Sequence, residues 1–179
     1  SGAWNCATAN GDADAVTLAV SHCSGPDELP LLYQTIGEAF VAAAERFPER
    51  PALVVRHQNI RWSYAEYRRE VDRLAAALLA LGIEPGDRVG IWAPNCHEWC
   101  LTQYATARIG AIMVCINPAY RLYELEYALN KVQCKVIIAA ERFKTSDYLG
   151  MLQTLAPELA RATPGHLDAH KRPHLKTVI

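Results

Sequence analysis

Cys96, His97 and Cys100 form the densest group of metal-ligand and nucleophile types in the sequence. Residues four apart share one face of a helix, so the two thiols of this group can point the same way. A structural metal centre takes four ligands, however, and no second pair stands at a matching spacing, which favours packed helix residues over a metal site. His166, His170 and His174 also step by four, but Pro164, Gly165 and Pro173 interrupt any helix there. A solvated loop is the expectation. No serine occupies a G-x-S-x-G elbow, and with six cysteines and six histidines any nucleophile–base pairing would be arbitrary.

Phosphate chemistry has little local support. Gly82, Gly86 and Gly90 straddle a turn and a strand-like run rather than forming G-x-G-x-x-G or a Walker loop, so they aim no row of N–H groups at a nucleotide. The lysines, Lys131, Lys135, Lys144, Lys171 and Lys176, lack a glycine-rich approach. Both features argue against autonomous nucleotide hydrolysis. Asn95, followed three residues later by Glu98, has the spacing of a helix cap and its partner, with Trp99 packing beneath. Asn117, Pro118 and Tyr120 stand at a strand exit that suits a turn and a cleft wall equally.

The elements that would position these residues are legible from periodicity. Thr35 and Glu38 have capping-box spacing ahead of Ile36, Phe40, Ala43 and Phe47, an amphipathic stripe stopped by Pro48. Ala52–Val55 and Ile60–Trp62 read as a hairpin. Ser63 and Glu66 form a second capping box, flanked by Trp62 and Tyr67 at hydrophobic-staple positions. The helix that follows carries Tyr64, Tyr67, Val71, Leu74, Leu78 and Leu81 on its apolar face and exits through Gly82. Beyond Pro85-Gly86 the pattern alternates: strand 89–93, helix from Asn95 or Cys96 to Arg108, strand 111–116, helix 122–132, strand 135–139. A further helix is expected over 145–155. Continuous apolar strands separated by helix-length segments predict an α/β fold with a mostly parallel sheet and helices on both faces. In such a sheet a site lies beyond the carboxyl ends of the strands, which selects Pro94–His97, Asn117–Tyr120 and Glu141–Lys144.

Residues 1–30 read as an irregular leader with at most a short strand over 16–20, residues 31–156 as an incomplete α/β domain, and residues 157–179 as a connector leading to a strand that is cut short at an open edge. The chain of 179 residues is 51% hydrophobic and 21% charged, enough apolar matter to bury a core. Its net charge of −1 offers no basic footprint for nucleic acid. No apolar run reaches the length of a membrane span. The scattered cysteines, Cys6, Cys23, Cys96, Cys100, Cys115 and Cys134, suit reduced thiols better than a disulfide framework. The first basic residue is Arg46, so no Arg-rich transit peptide is visible.

Three blocks in family order then carry a resemblance. WSYAEY (62–67), LGIEPGDRVGIWAPN (81–95) and GAIMVCINPAY (110–120) resemble core motifs at the amino-terminal end of the adenylate-forming superfamily, which comprises acyl-CoA synthetases, luciferases and adenylation domains. The stretches GPDELPLLYQTIGEAF, NPAYRLYELEYALNKVQCK, RFKTSDYLGML and LKTVI look like the mitochondrial medium-chain fatty acyl-CoA ligases of animals.

The resemblance implies a ligase that joins a fatty acid to coenzyme A through an acyl-adenylate, using ATP and Mg, and a mitochondrial location. It also implies that the superfamily's phosphate loop, adenine motif, ribose-binding aspartate and carboxy-terminal lysine belong to sequence beyond residue 179. No catalytic, cofactor-binding or metal residue is therefore carried over, and substrate-binding residues stay unassigned. The expectation is an amino-terminal portion that is inactive alone and completed by the remainder of the ligase chain; the alternative is a short binding or regulatory module derived from such a ligase.

Overall fold

The computed structural model describes residues 31–163 and 165–179. The expected leader, Cys6, Cys23 and Pro164 lie outside the described residues. Helix α1 (Ile36–Arg46) begins as its sequence dictates, with Thr35 and Glu38 exchanging the two hydrogen bonds of a capping box. Its buried face differs from the expected one. Gly37, Phe40 and Ala44 turn inward while Ile36 is 63% exposed. The reason is Gly37: a Cβ there would stand 2.9 Å from the Ala107 carbonyl oxygen, so the missing side chain lets the two backbones close up.

Strands β1 (Pro51–Val55) and β2 (Ile60–Ser63) form the expected antiparallel hairpin, turned by a single 3-10 turn at Arg56–Gln58 and a left-handed Asn59. Ser63 and Glu66 then cap α2 (Tyr64–Ala80), and the rings of Trp62 and Tyr67 lie 6.1 Å apart as the staple requires. Tyr67, Val71, Ala75 and Leu78 are the residues α2 buries; Tyr64, Leu74 and Leu81 are only partly covered. The helix ends in a Schellman motif: Ile83 N–H donates to the Leu78 carbonyl and Gly82 N–H to that of Leu79, with Gly82 at φ 78°.

Strands β3 (Arg88–Trp92), β4 (Ile112–Cys115), β5 (Val136–Ala139) and β8 (Thr177–Val178) build a parallel sheet in the order β4-β3-β5-β8. Helices cover both faces, so the central strands are apolar throughout. Val89, Ile91, Val136 and Ile138 point to one core with α1, α2 and α3 (His97–Ile109). Trp92 and Ile137 point to the other, with α4 (Leu122–Lys131) and α5 (Tyr148–Leu155).

Three expectations are corrected. The segment 145–155 is not helical throughout: β6 (Arg142–Phe143) and β7 (Ser146–Asp147) make a small hairpin first, and Asp147 caps α5 by accepting from the Gly150 N–H. Residues beyond 156, expected as a connector, also contribute side chains to the second core. His166, His170 and His174 do face solvent, but Leu167, Ala169 and Leu175 alternate with them into the second core, and Arg172 is 3% exposed in an ion pair with Glu126. The terminal strand is not left without partners on its inner side, because Ile179 donates its N–H to the Ile137 carbonyl and its own carbonyl accepts from the Ala139 N–H.

Candidate functional site

The sheet order creates one place where adjacent strands send the chain in opposite directions. After β3 the chain passes through α3 to β4 on one side, and after β5 it runs by way of α5 to β8 on the other. The carboxyl ends of β3 and β5 therefore diverge, and such a switch point opens a crevice in a parallel sheet. A cavity of about 430 Å³ lies there, floored by Ile91, Ala93, Ile138 and Ala139 and rimmed by His57, Gln58, Asn95, Cys96, Glu98 and Glu141.

Two of the three segments selected from sequence, Pro94–His97 and Glu141–Lys144, contribute residues to this crevice. The third does not line it. Asn117–Tyr120 is a turn: the Asn117 side chain accepts from Ala119 N–H at 2.9 Å, its carbonyl accepts from Tyr120 N–H and from the Trp92 indole, and the Pro118 carbonyl accepts from the Tyr148 hydroxyl. Backbone groups there are already engaged in holding the fold.

The cap of α3 is also different from the expected one. The N-cap is Cys96, without a side-chain hydrogen bond, so Asn95 stands one residue too early and Glu98 falls at the second helical position. The free N–H of His97 is satisfied from outside the helix, by the Gln58 side-chain oxygen at 2.7 Å. The nitrogen of the same amide donates to Glu98 at 3.0 Å. Trp99 does pack under this end, donating its indole N–H to the Ala93 carbonyl at 2.8 Å. The sequence places His57 and Gln58 only at the tip of a hairpin, because such a tip carries no periodicity and its partners lie about forty residues away.

Cys96, His97 and Cys100 do not converge. The His97 ring meets Trp62 edge-on at 5.3 Å and leaves Nδ1 3.1 Å from Glu98, while the Cys100 carbonyl accepts from the Tyr67 hydroxyl at 2.7 Å. Burial pushes the Cys96 thiol up to about 11, so it is protonated and a poor nucleophile near neutrality. Burial alone would raise Glu98 as well, but the hydrogen bond from Gln58 and lesser contacts outweigh it and hold the carboxyl below its ordinary value. Among the described residues no group of three His, Cys, Asp or Glu side chains is placed to hold a metal ion.

Among the described residues the crevice is acidic. Its charged lining residues are the carboxylates Glu98 and Glu141, and neither lysine nor arginine joins them. An anionic phosphate chain would meet repulsion there without a compensating donor row.

The model of the AMP-binding enzyme family matches residues 40–177. The chain is 47% identical over 160 residues to the mitochondrial medium-chain acyl-CoA ligase ACSF2 of Rattus norvegicus, covering 89% of this chain and 26% of that protein. It is 43% identical to the Homo sapiens protein of the same name over the same shares. It thus spans about a quarter of the length of these relatives. Among solved structures, the N-terminal domain of FACL13 from Mycobacterium tuberculosis superposes with a TM-score of 0.67 at 27% identity, covering 82% of this chain and 33% of that one. A fatty acyl CoA synthetase of the same organism gives 0.66 at 28% identity, covering 81% and 26%. With its α/β architecture matching the amino-terminal part of acyl-CoA ligase structures, the chain belongs to the AMP-binding enzyme family.

Proposed function

We propose that this chain is the amino-terminal α/β layer of an ATP-dependent fatty acyl-CoA ligase that acts on medium-chain acids in mitochondria. The reading rests chiefly on the 47% identity over 160 residues to a ligase named for that substrate class and that organelle. In the proposed reaction the fatty acid carboxylate attacks the α-phosphate of ATP, releasing pyrophosphate, and the thiol of coenzyme A then displaces AMP to form the thioester.

Within that ligase, residues 31–156 form the body of the layer and residues 157–179 the strap that returns the chain to the sheet at β8. The layer supplies a rigid wall and the switch-point crevice. Charge neutralisation around phosphate needs donors and cations that the acidic crevice lacks, so ATP, Mg and coenzyme A are held chiefly by the remainder of the ligase chain.

The test is carboxylate-dependent ATP–pyrophosphate exchange by the purified 179-residue chain, with octanoate as the acid. No exchange above the no-carboxylate control is expected. Robust exchange would overturn the division of labour proposed here.

A further inference from the structure

We propose that the tip of the β1–β2 hairpin, residues 56–59, is a movable gate on the switch-point crevice and that Gln58 is its latch. The tip forms one wall of the cavity through His57 and Gln58, facing Pro94–Glu98 and Ala139–Glu141 across it. Arg56, His57 and Asn59 are exposed, whereas Gln58 is half-buried.

The hairpin is anchored at its base rather than at its tip. Leu53 and Trp62 pack into the first core, and the Trp62 ring rests against Tyr67 and His97. At the tip, both hydrogen bonds that reach α3 come from one side-chain amide, which accepts from the His97 N–H and donates to the Glu98 carboxylate. The turn itself is short, and the left-handed Asn59, at φ 53°, gives it a natural pivot.

The two bonds are of unequal kind. One fills a free donor at the start of α3, a group that water satisfies equally well once the tip swings out. The other is a charge-assisted bond to a carboxylate whose neighbour is His97 Nδ1, at 3.1 Å. Both bonds are only part-buried, so the gate opens at modest cost, and opening widens the crevice mouth without disturbing the sheet. The latch is independent of the ligase reading, since it rests on the bonds of Gln58 with His97 and Glu98.

Residue-resolved amide hydrogen exchange on the whole 179-residue chain tests this. In Gln58→Ala, exchange at His97 and Asn59 should rise about ten- to hundredfold while amides of β3 and β5 keep their protection. Gln58→Glu sets a second carboxylate against Glu98 and should open the gate at least as far. Adding Glu98→Gln to that variant reverses the donor and acceptor of the pair and should restore protection at both sites, a rescue that a merely space-filling role for Gln58 would not show. Unchanged exchange at His97 in Gln58→Ala, a uniform rise across the sheet, or failure of the double variant to rescue would each overturn the proposal.

Discussion

The Trp92 indole stacks on the Tyr148 ring with 3.8 Å between centroids and 15° between planes, and each ring sends its polar atom to the same turn: the indole N–H to the Asn117 carbonyl and the hydroxyl to that of Pro118. Both residues are fully buried. The pair ties the carboxyl end of β3, the exit of β4 and the start of α5 together beneath the sheet, and so fixes one side of the switch point. Burial raises the Tyr148 hydroxyl, which keeps it a donor across the neutral range.

Tyr148→Phe keeps the stack and leaves the Pro118 carbonyl without its donor, so a loss of about 1–2 kcal/mol is expected from denaturant unfolding. Trp92→Ala removes the stack, the hydrogen bond and the core volume together, with an expected loss of about 3–5 kcal/mol. Equal losses in the two variants would contradict the dominance of packing here.

Gly37 offers a case in which helix propensity and tertiary contact oppose each other. Alanine is favoured over glycine inside a helix by about 1 kcal/mol, yet a Cβ would stand 2.9 Å from backbone of Ala107. Backbone cannot rotate away as a side chain can, so Gly37→Ala is expected to lower the thermal midpoint by several degrees. A raised midpoint would mean that α1 and α3 slide apart easily.

Asp87 should make folding acid-sensitive. Burial would raise its carboxyl, but the Lys135 ammonium at 2.6 Å and the Glu84 N–H outweigh this and hold it below its ordinary value of 3.8. A carboxyl lowered in the folded state adds stability that is present above the unfolded-state value and is lost as pH falls through the folded one. Asp87→Asn is therefore expected to lower the midpoint at pH 7 and to narrow the difference between pH 7 and pH 3. An unchanged difference between the two pH values would place the acid response elsewhere.

Thiol reactivity should follow exposure. Cys115 is exposed at the end of β4, whereas burial raises the Cys96 and Cys134 thiols to about 11. Peptide mapping after brief iodoacetamide treatment at pH 8 should find Cys115 modified well ahead of the other two. Faster labelling of Cys134 would show that the sheet opens around it.

The parts of this molecule that the sequence made legible are those set by local rules. Both capping boxes, the Trp62–Tyr67 staple, the Gly82 exit and the alternation of strand and helix depend on residues a few positions apart, and the structure has them all. Periodicity alone turns Ile36 inward on α1, but the buried face is decided by contact with α3, seventy residues on. Local spacing points to Asn95 and Glu98 as the cap of α3, whereas the N-cap is Cys96 and the free His97 N–H is satisfied by Gln58 across the fold. For the candidate site, the rule that ligands lie beyond strand ends selects two segments that line the crevice, and the third, Asn117–Tyr120, does not line it because its carbonyls are taken by Trp92 and Tyr148.

The proposed ligase activity is tested most simply on the endogenous protein, captured from its source with an antibody raised to residues 60–143 and supplied with ATP, Mg, coenzyme A and carboxylic acids of graded length. Acyl-CoA and AMP should form in equal amounts, greatest with medium-chain acids. Absence of acyl-CoA with every acid, from protein that is folded by circular dichroism, would contradict it.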